Sequence, residues 1–358
     1  MSILVTGAAG FIGSNFVHYF LKNYKHNRLI GLDALTYAGN LENLGDILQE
    51  KKENFTFIKG DITDRSLVED IFSDYRINGV INFAAESHVD RSILAPEIFL
   101  TTNIIGTHVL LDVCKQFWLN GNKWAHNRKF LQVSTDEVYG SLQEEGFFTE
   151  SSPLDPRSPY AASKAGGDLI VKAFFETYNM PINIARSSNN YGPYQFPEKL
   201  IPLMIMNALN HKPLPIYGDG KQIRDWVYVE DNCRALDIVF NEGREGEIYN
   251  IGSRNERTNL SLVKQIIRIL REKTGDLLIN EKLINHVTDR LGHDRRYAID
   301  PSKIVTTLSW VPKVEFESGL DRTIQWYLDN REWMDNVTSG EYLSYYEKNY
   351  EWRRIEKV

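Results

Sequence analysis

The sequence predicts an α/β protein with a doubly wound parallel sheet and a smaller, mixed α/β C-terminal domain. Three observations carry this. From Ser2 to Arg186, short apolar runs alternate with helical patterns, the texture of repeated βαβ units. The first run passes directly into Gly7-Ala8-Ala9-Gly10-Phe11-Ile12-Gly13 and a helical pattern through Leu21. After Arg186 the alternation is lost, and Pro193, Pro197, Pro202, Pro213 and Pro215 punctuate a polar segment. The expected division is residues 1–186 for the sheet domain, with returning segments near 225–252, and 187–358 mainly for the second domain.

The strand Ser2–Thr6 comes first. In the turn that follows it, Gly7 lets the chain reverse tightly, Gly10 lets backbone approach a pyrophosphate, and Gly13 lets helix and strand pack closely. The free N–H groups and dipole of the helix start favour an anion there. The spacing is G-x-x-G-x-x-G rather than G-x-G-x-x-G, which points to a different branch of dinucleotide-binding folds. The second strand, Arg28–Leu32, ends in Asp33, 20 residues after Gly13. A carboxylate at that place accepts from ribose hydroxyls and repels a 2′-phosphate, favouring NAD over NADP.

A third strand, Phe55–Lys59, leads to Asp61, either an adenine contact or an acid at the start of the next helix. A fourth, Val80–Phe83, is followed by the small residues Ala84 and Ala85, which leave room for a cofactor. One long helix is expected from Leu94 to Trp118, with Thr102 and Asn103 near its start. Lys129–Val133 is the fifth strand and Ile182–Arg186 the sixth.

The chemistry concentrates between Ser134 and Lys164. Thr135, Asp136 and Glu137 sit just past the fifth strand's carboxyl end, where open α/β sheets place their ligands. Ser158-Pro159 is a helix start, an N-cap hydroxyl followed by a proline suited to the first turn. Tyr160 and Lys164, four apart on that helix, share one face. A phenol titrates at about 10 and is a poor base at neutral pH. A neighbouring ammonium favours its phenolate. Two adjacent carboxyls, Asp136 and Glu137, can hold split pKa values and so act as acid and base together.

Beyond Arg186, Gly218 to Asp225 reads as a hairpin or loop carrying Arg224, a guanidinium for a phosphate. Glu247–Ile251 resembles one more strand and Leu260–Lys273 one more helix. Arg290 to Tyr297 is a second basic cluster. With Lys199 and Arg224 it would bind a diphosphate if the three converge in space.

Composition bounds the rest. The 358 residues suffice for a large core, and 42% hydrophobic with 25% charged residues is ordinary for a globular protein. A net charge of −7 argues against nucleic acid as a partner. The two cysteines, Cys114 and Cys233, each inside a predicted helix, form no disulfide framework and suit a reducing, cytoplasmic compartment. No signal-peptide pattern opens the chain, and no apolar run approaches the ~18 residues of a membrane span. No His/Cys/Asp cluster has metal spacing, so no metal is expected.

Together these features resemble the extended short-chain dehydrogenase/reductase family, whose active site is built on Tyr-x-x-x-Lys. Within it they resemble the nucleotide-sugar 4,6-dehydratases. The resemblance is carried by Thr135-Asp136-Glu137, Tyr160 to Lys164, Ser188 to Leu200, and Gly218 to Asp231, and also by Ala84 to Arg91 and Asp289 to Asp300. It covers the chain from Ile3 to about Tyr327.

The resemblance implies a Rossmann-type sheet, NAD as cofactor, dTDP-glucose as substrate and a homodimer formed through Leu94–Trp118 and Ser158–Tyr178. It implies that Tyr160, beside Lys164, takes the sugar's 4-hydroxyl proton, that Thr135 holds the 4-oxygen, that Glu137 takes the C5 proton and that Asp136 donates to the leaving 6-hydroxyl. Cofactor contacts would be Phe11, Ile12, Asp33, Ala34, Leu35, Thr36, Asp61, Ile62, Ala84, Ala85, Glu86, Ser87, Thr102 and Asn190, besides the glycine turn, Tyr160 and Lys164. Substrate contacts would be Ser87, Thr135, Asn189, Lys199, Leu200, Pro215, Ile216, Tyr217, Arg224, Asn259, Asp289, Arg290, His293 and Tyr297. Leu291 departs from the family's usual proline between Arg290 and Gly292.

A 4-epimerase or another nucleotide-sugar dehydratase would share the glycine turn, Tyr160 and Lys164. An epimerase has no need of an acid/base pair at C5 and C6, so Asp136-Glu137 argues for dehydration. A non-catalytic, NAD-sensing protein would need none of these four side chains together.

Overall fold

The apolar runs form the strands because their residues are buried on both faces of one sheet. In a computed structural model, which describes residues 1–338, these are β1 (Ser2–Thr6), β2 (Arg28–Asp33), β3 (Phe55–Lys59), β4 (Gly79–Asn82), β5 (Lys129–Thr135), β6 (Ile182–Ser187) and β7 (Ile248–Ile251). They build a seven-stranded sheet in the order 3-2-1-4-5-6-7. Every neighbouring pair is parallel. The chain order reverses between β1 and β4, so their carboxyl ends open a crevice at a topological switch point.

Helices cover both faces, as an all-parallel sheet requires. On one side, α1 (Phe11–Asn23) packs Phe16, Val17 and Phe20 against Ile3 and Val5. On the other, α2 (Arg65–Tyr75), α3 (Pro96–Trp118) and α4 (Pro159–Tyr178) bury Ile71, Leu110, Leu111 and Val171 against Leu4, Ile30 and Val80. The second core lies in the later part of the chain. There, α5 (Leu200–Leu209) meets α7 (Asn259–Thr274) and α8 (Phe316–Asp329), while α6 (Val229–Glu242) returns to the sheet beside α1. Cys114 on α3 and Cys233 on α6 are buried and unbridged.

The structure refines the expected elements at several points. The helix expected over 94–118 runs unbroken but starts at Pro96: Val89–Leu94 is a separate helix that ends at Ala95, whose φ of −144° and ψ of 73° are not helical. Proline disfavours helical geometry in the residue before it, which places the break. Thr101–Gly106 is a wider π turn within α3. By length and composition α3 is also apolar enough to cross a membrane, although half of the window that qualifies is buried in the protein. Finally, of the two readings of Gly218 to Asp225, the structure shows a loop, over 218–222, and not a hairpin. Leu214–Tyr217 pairs in parallel with Ile284–Val287, whereas Ile223–Tyr228 lies between Asn189–Tyr191 and Glu256–Thr258. The turn at Gly218 and Gly220, both at positive φ, passes the chain from one small sheet to another.

Candidate active site

The glycine turn is shaped by close approach. Gly7 has φ +64°, and a Cβ there would lie 2.7 Å from the amide nitrogen of Ala84. A Cβ on Gly13 would lie 2.0 Å from the Gly7 carbonyl oxygen. No side chain caps the start of α1, and Gly10, Phe11, Ile12 and Gly13 line a cavity at the sheet's switch point. These residues fit a pyrophosphate held by backbone N–H groups.

Asp33 stands at the end of β2, with Oδ2 accepting from the Ala9 N–H at 2.9 Å and Oδ1 from the Leu35 N–H at 2.8 Å. Burial raises its pKa, and those backbone donors oppose the rise. Ala34 and Thr36 line the same cavity, but Leu35, at φ +56°, packs its side chain into the sheet core instead. Of the two readings open for Asp61, helix capping belongs to Asp64, which accepts from the Leu67 N–H at 3.1 Å. Asp61 accepts from Thr63 and lines the cavity with Ile62. Ala84, Ala85, Glu86, Ser87, Thr102 and Asn190 complete this wall.

Asn103, in the π turn, was left without a role by sequence reasoning. It accepts from the Glu86 N–H at 2.9 Å and donates to the Glu86 carbonyl at 3.0 Å and to Ser163 at 2.8 Å. It thus fixes the loop after β4 to α4. A lone Asn in a helix carries no sequence signal for this. Tyr37, Ser134, Ser188, Gln195, Phe196 and Glu198 also line the cavity unforeseen.

The reactive side chains gather at the end of β5. Thr135 caps a 3₁₀ turn, Asp136–Tyr139, accepting from the Glu137 N–H and donating to Asp136 Oδ1, both at 3.3 Å. Asp136 is only 2% exposed, and among the described residues its Oδ2 has no hydrogen-bond partner. Burial first, then Glu137, drives its pKa well above the carboxylate range, which favours its protonated form. Asp136 lines neither cavity, whereas its neighbours Thr135 and Glu137 line the first and Glu137 also the second.

Tyr160 and Lys164 face the same space from α4. Burial and then Glu137 push Tyr160 up, with Thr135 opposing. Lys164 gives its ammonium to the Val133 carbonyl at 2.7 Å, and burial lowers its pKa to about 8, against the pull of Asp168.

A second cavity continues from the first, sharing Ser87, Glu137, Asn189, Gln195, Glu198 and Lys199. Here the separate basic segments do converge: Lys199, Arg224 and Arg290 line it together. Lys199 donates to the Ser87 carbonyl at 2.9 Å. Leu200, Pro215, Ile216, Tyr217, Asn259 and His293 line it too, as do Leu203, Met204 and Trp226, which the sequence did not single out. Two expected contacts, Asp289 and Tyr297, line neither cavity. Asp289 accepts from Gln222 at 3.0 Å and pairs with His293 Nδ1 at 2.6 Å, tying down its own loop. Tyr297 donates to Asp294 at 2.6 Å, and its ring lies under the Arg224 guanidinium at 4.1 Å. Leu291, 76% exposed, lines neither cavity. Among the described residues no group of three or more His, Cys, Asp or Glu could hold a metal ion.

A family model described as GDP-mannose 4,6 dehydratase matches residues 4–323. The chain is 49% identical to the dTDP-glucose 4,6-dehydratase of Salmonella typhimurium, over 99% of this chain and 100% of that one. Among solved structures it resembles dTDP-glucose 4,6-dehydratase from Bacillus anthracis in complex with NAD, at TM-score 0.84 and 49% identity over 94% of this chain and 99% of that chain. It also resembles the Streptomyces venezuelae enzyme of that name with NAD and TYD bound, at TM-score 0.86 and 44% identity over 94% and 100%. Its sequence, its sheet and its two joined cavities agree: this chain belongs to the dTDP-glucose 4,6-dehydratases of the extended short-chain dehydrogenase/reductase family.

Proposed function

We propose that this protein converts dTDP-glucose to dTDP-4-dehydro-6-deoxyglucose and water, with NAD in the first cavity and the nucleotide diphosphate in the second. The observation that carries this reading is Glu137, which lines both cavities beside buried Asp136 and raises the pKa of Asp136 and Tyr160 alike. NAD, when bound, supplies the hydride acceptor for C4 and the hydride returned to C6, so no net redox occurs.

The chain's own residues handle the protons. Tyr160 takes the proton of the 4-hydroxyl, and Thr135 holds that oxygen. The 4-ketone acidifies C5–H. Glu137 removes the C5 proton, and Asp136, protonated through its burial, gives its proton to the departing 6-hydroxyl. Lys199, Arg224 and Arg290 neutralise the diphosphate.

The sheet segment 1–186, joined by 225–252, serves the cofactor, and 187–358 mainly serves the sugar nucleotide; residues 339–358 of that span lie outside the described residues. Exposed Ile98, Leu100, Ile105 and Phe117 on α3, with Leu169 and Tyr178 on α4, support a homodimer through these helices. We place the protein in the cytoplasm, consistent with its free, buried cysteines.

The test is to incubate the full-length protein with dTDP-glucose and catalytic NAD and weigh the product. Loss of one water without net NADH supports the dehydratase. An isomerised sugar of unchanged mass would establish a 4-epimerase instead. If neither occurs while NAD still binds, the non-catalytic reading gains.

A further inference from the structure

The glycine turn that forms the first cavity is gripped from a distant part of the chain. Ala9 lies inside that turn, and both its backbone N–H and its carbonyl are held. Its N–H donates to Asp33 Oδ2 at 2.9 Å, while its carbonyl accepts from the Asn43 side chain at 2.8 Å and the Asn40 N–H at 3.1 Å. Asn43 belongs to a 3₁₀ turn, Leu41–Leu44, and is only 2% exposed. Its backbone carbonyl bonds His18 Nε2 on α1 at 2.9 Å.

The other end of the Asn43 amide fixes its orientation. Trp333, from the helix Arg331–Val337, donates its indole N–H to Asn43 Oδ1 at 2.9 Å. An indole N–H can only donate and a carbonyl can only accept, so the amide between them has one satisfied orientation. Trp333 is itself packed against Trp326, with ring centroids 5.0 Å apart, and against Tyr194, whose ring stacks on His18. The late helix and the first helix thus meet on the turn that follows β1.

We propose that Asn43, oriented by Trp333, is a positioning residue for the cofactor: it locks the Ala9 peptide, and with it the spacing between the glycine turn and Asp33. Retention of the dinucleotide then depends on a hydrogen bond made 290 residues along the chain from Asn43. The inference rests on the reading of the first cavity as the NAD site. A loosened Ala9 peptide would release both the turn and the carboxylate it is bonded to, without disturbing the proton-transfer groups on β5 and α4.

The experiment is exchange of bound NAD against radiolabelled NAD in the purified full-length protein, with the melting temperature followed in parallel. Trp333→Phe should speed exchange by about five- to tenfold, the size expected for one lost buried hydrogen bond. Asn43→Ala should do at least as much, and the double variant should match Asn43→Ala alone, because the two act through one contact. Trp333→His, which keeps a ring N–H, should recover part of the retention. Trp326→Phe, which trims the same aromatic cluster without touching Asn43, should lower the melting temperature while exchange stays within about twofold.

Equal exchange in the Trp333→Phe and Trp326→Phe variants would overturn the inference, leaving Trp333 as packing only. So would fully additive effects of Trp333→Phe and Asn43→Ala. If the unaltered protein takes up no NAD at all, the reading of the cavity itself falls, an outcome distinct from normal binding with unchanged exchange in the variants.

Discussion

Lys164 and Asp168 stand one helical turn apart on α4, buried behind the same strand. Lys164 donates to the Val133 carbonyl at 2.7 Å, and Asp168 Oδ2 accepts from the next residue, Ser134, at 3.0 Å and from Arg186 on β6 at 2.9 Å. One carboxylate therefore joins the helix that carries Tyr160 to the two strands beneath it, and it supports the charge on Lys164. Asp168→Asn should lower the Lys164 pKa below its present value of about 8. It should also leave Arg186 buried without its partner and cost about 3–5 kcal/mol of stability. Urea unfolding gives the second quantity. Titration of the labelled lysine side chain, recognised by its loss in Lys164→Met, gives the first. An unchanged lysine titration would remove Asp168 from this role.

Lys164 also makes a stability prediction by itself. Its folded pKa of about 8 lies below the ordinary 10.5, so the unfolded chain binds the extra proton between those values. Its contribution to stability therefore rises with pH across that window and is most unfavourable below it. Lys164→Met should flatten the dependence between those limits. The comparison is made from urea midpoints of both proteins across the window.

Tyr160→Phe removes the hydroxyl that takes the 4-hydroxyl proton and leaves the ring packing, which includes an edge contact with Phe99 at 6.4 Å. We expect formation of bound NADH from dTDP-glucose to slow by about 100- to 10,000-fold, the range for losing one positioned acid or base. Near-normal formation, followed by near-ultraviolet absorbance, would mean another group takes that proton.

How much of this was readable in the sequence depends on the range of the interactions. Gly7, Gly10 and Gly13, Asp33, Thr135 to Glu137 and the Tyr160–Lys164 pair are local patterns, and each is placed by the strand or helix it sits on. The convergence of Lys199, Arg224 and Arg290 needed the fold to bring three segments together, although each charge was visible. Asn103 and Asn43 were not legible. Their importance lies in amide hydrogen bonds to distant backbone and side chains, three for Asn103 and two for Asn43, and a single Asn carries no periodicity to announce this. The same limit applies to Asp289 and Tyr297. A basic cluster says which residues gather, but not which face the cavity and which support those that do.

Glu137→Gln tests the division of labour between the carboxylates. The substitution keeps the shape of the side chain and removes the charge that raises both Tyr160 and Asp136. Oxidation at C4 should continue while water loss falls by about 100-fold or more. Bound NADH should then accumulate on mixing with dTDP-glucose. Failure to accumulate, in a variant shown to bind substrate and to transfer hydride, would assign the C5 proton to another group.

Asp136 carries a cost that its substitution should expose. Its folded pKa lies well above the ordinary 3.8, so the folded protein holds a proton that the unfolded chain has released. The favourable contribution of this group is complete below that unfolded value and is lost as pH rises toward the folded one. Asp136→Asn keeps the neutral amide shape and has no proton to lose, so its stability should decline less than the parent's from acid to neutral pH. The same variant should dehydrate poorly while still oxidising C4, because an amide cannot protonate the leaving 6-hydroxyl. Melting temperatures across that range, read beside product formation, separate the two effects. Parallel curves for parent and variant would show that Asp136 is ionised in the folded protein and cannot be the acid.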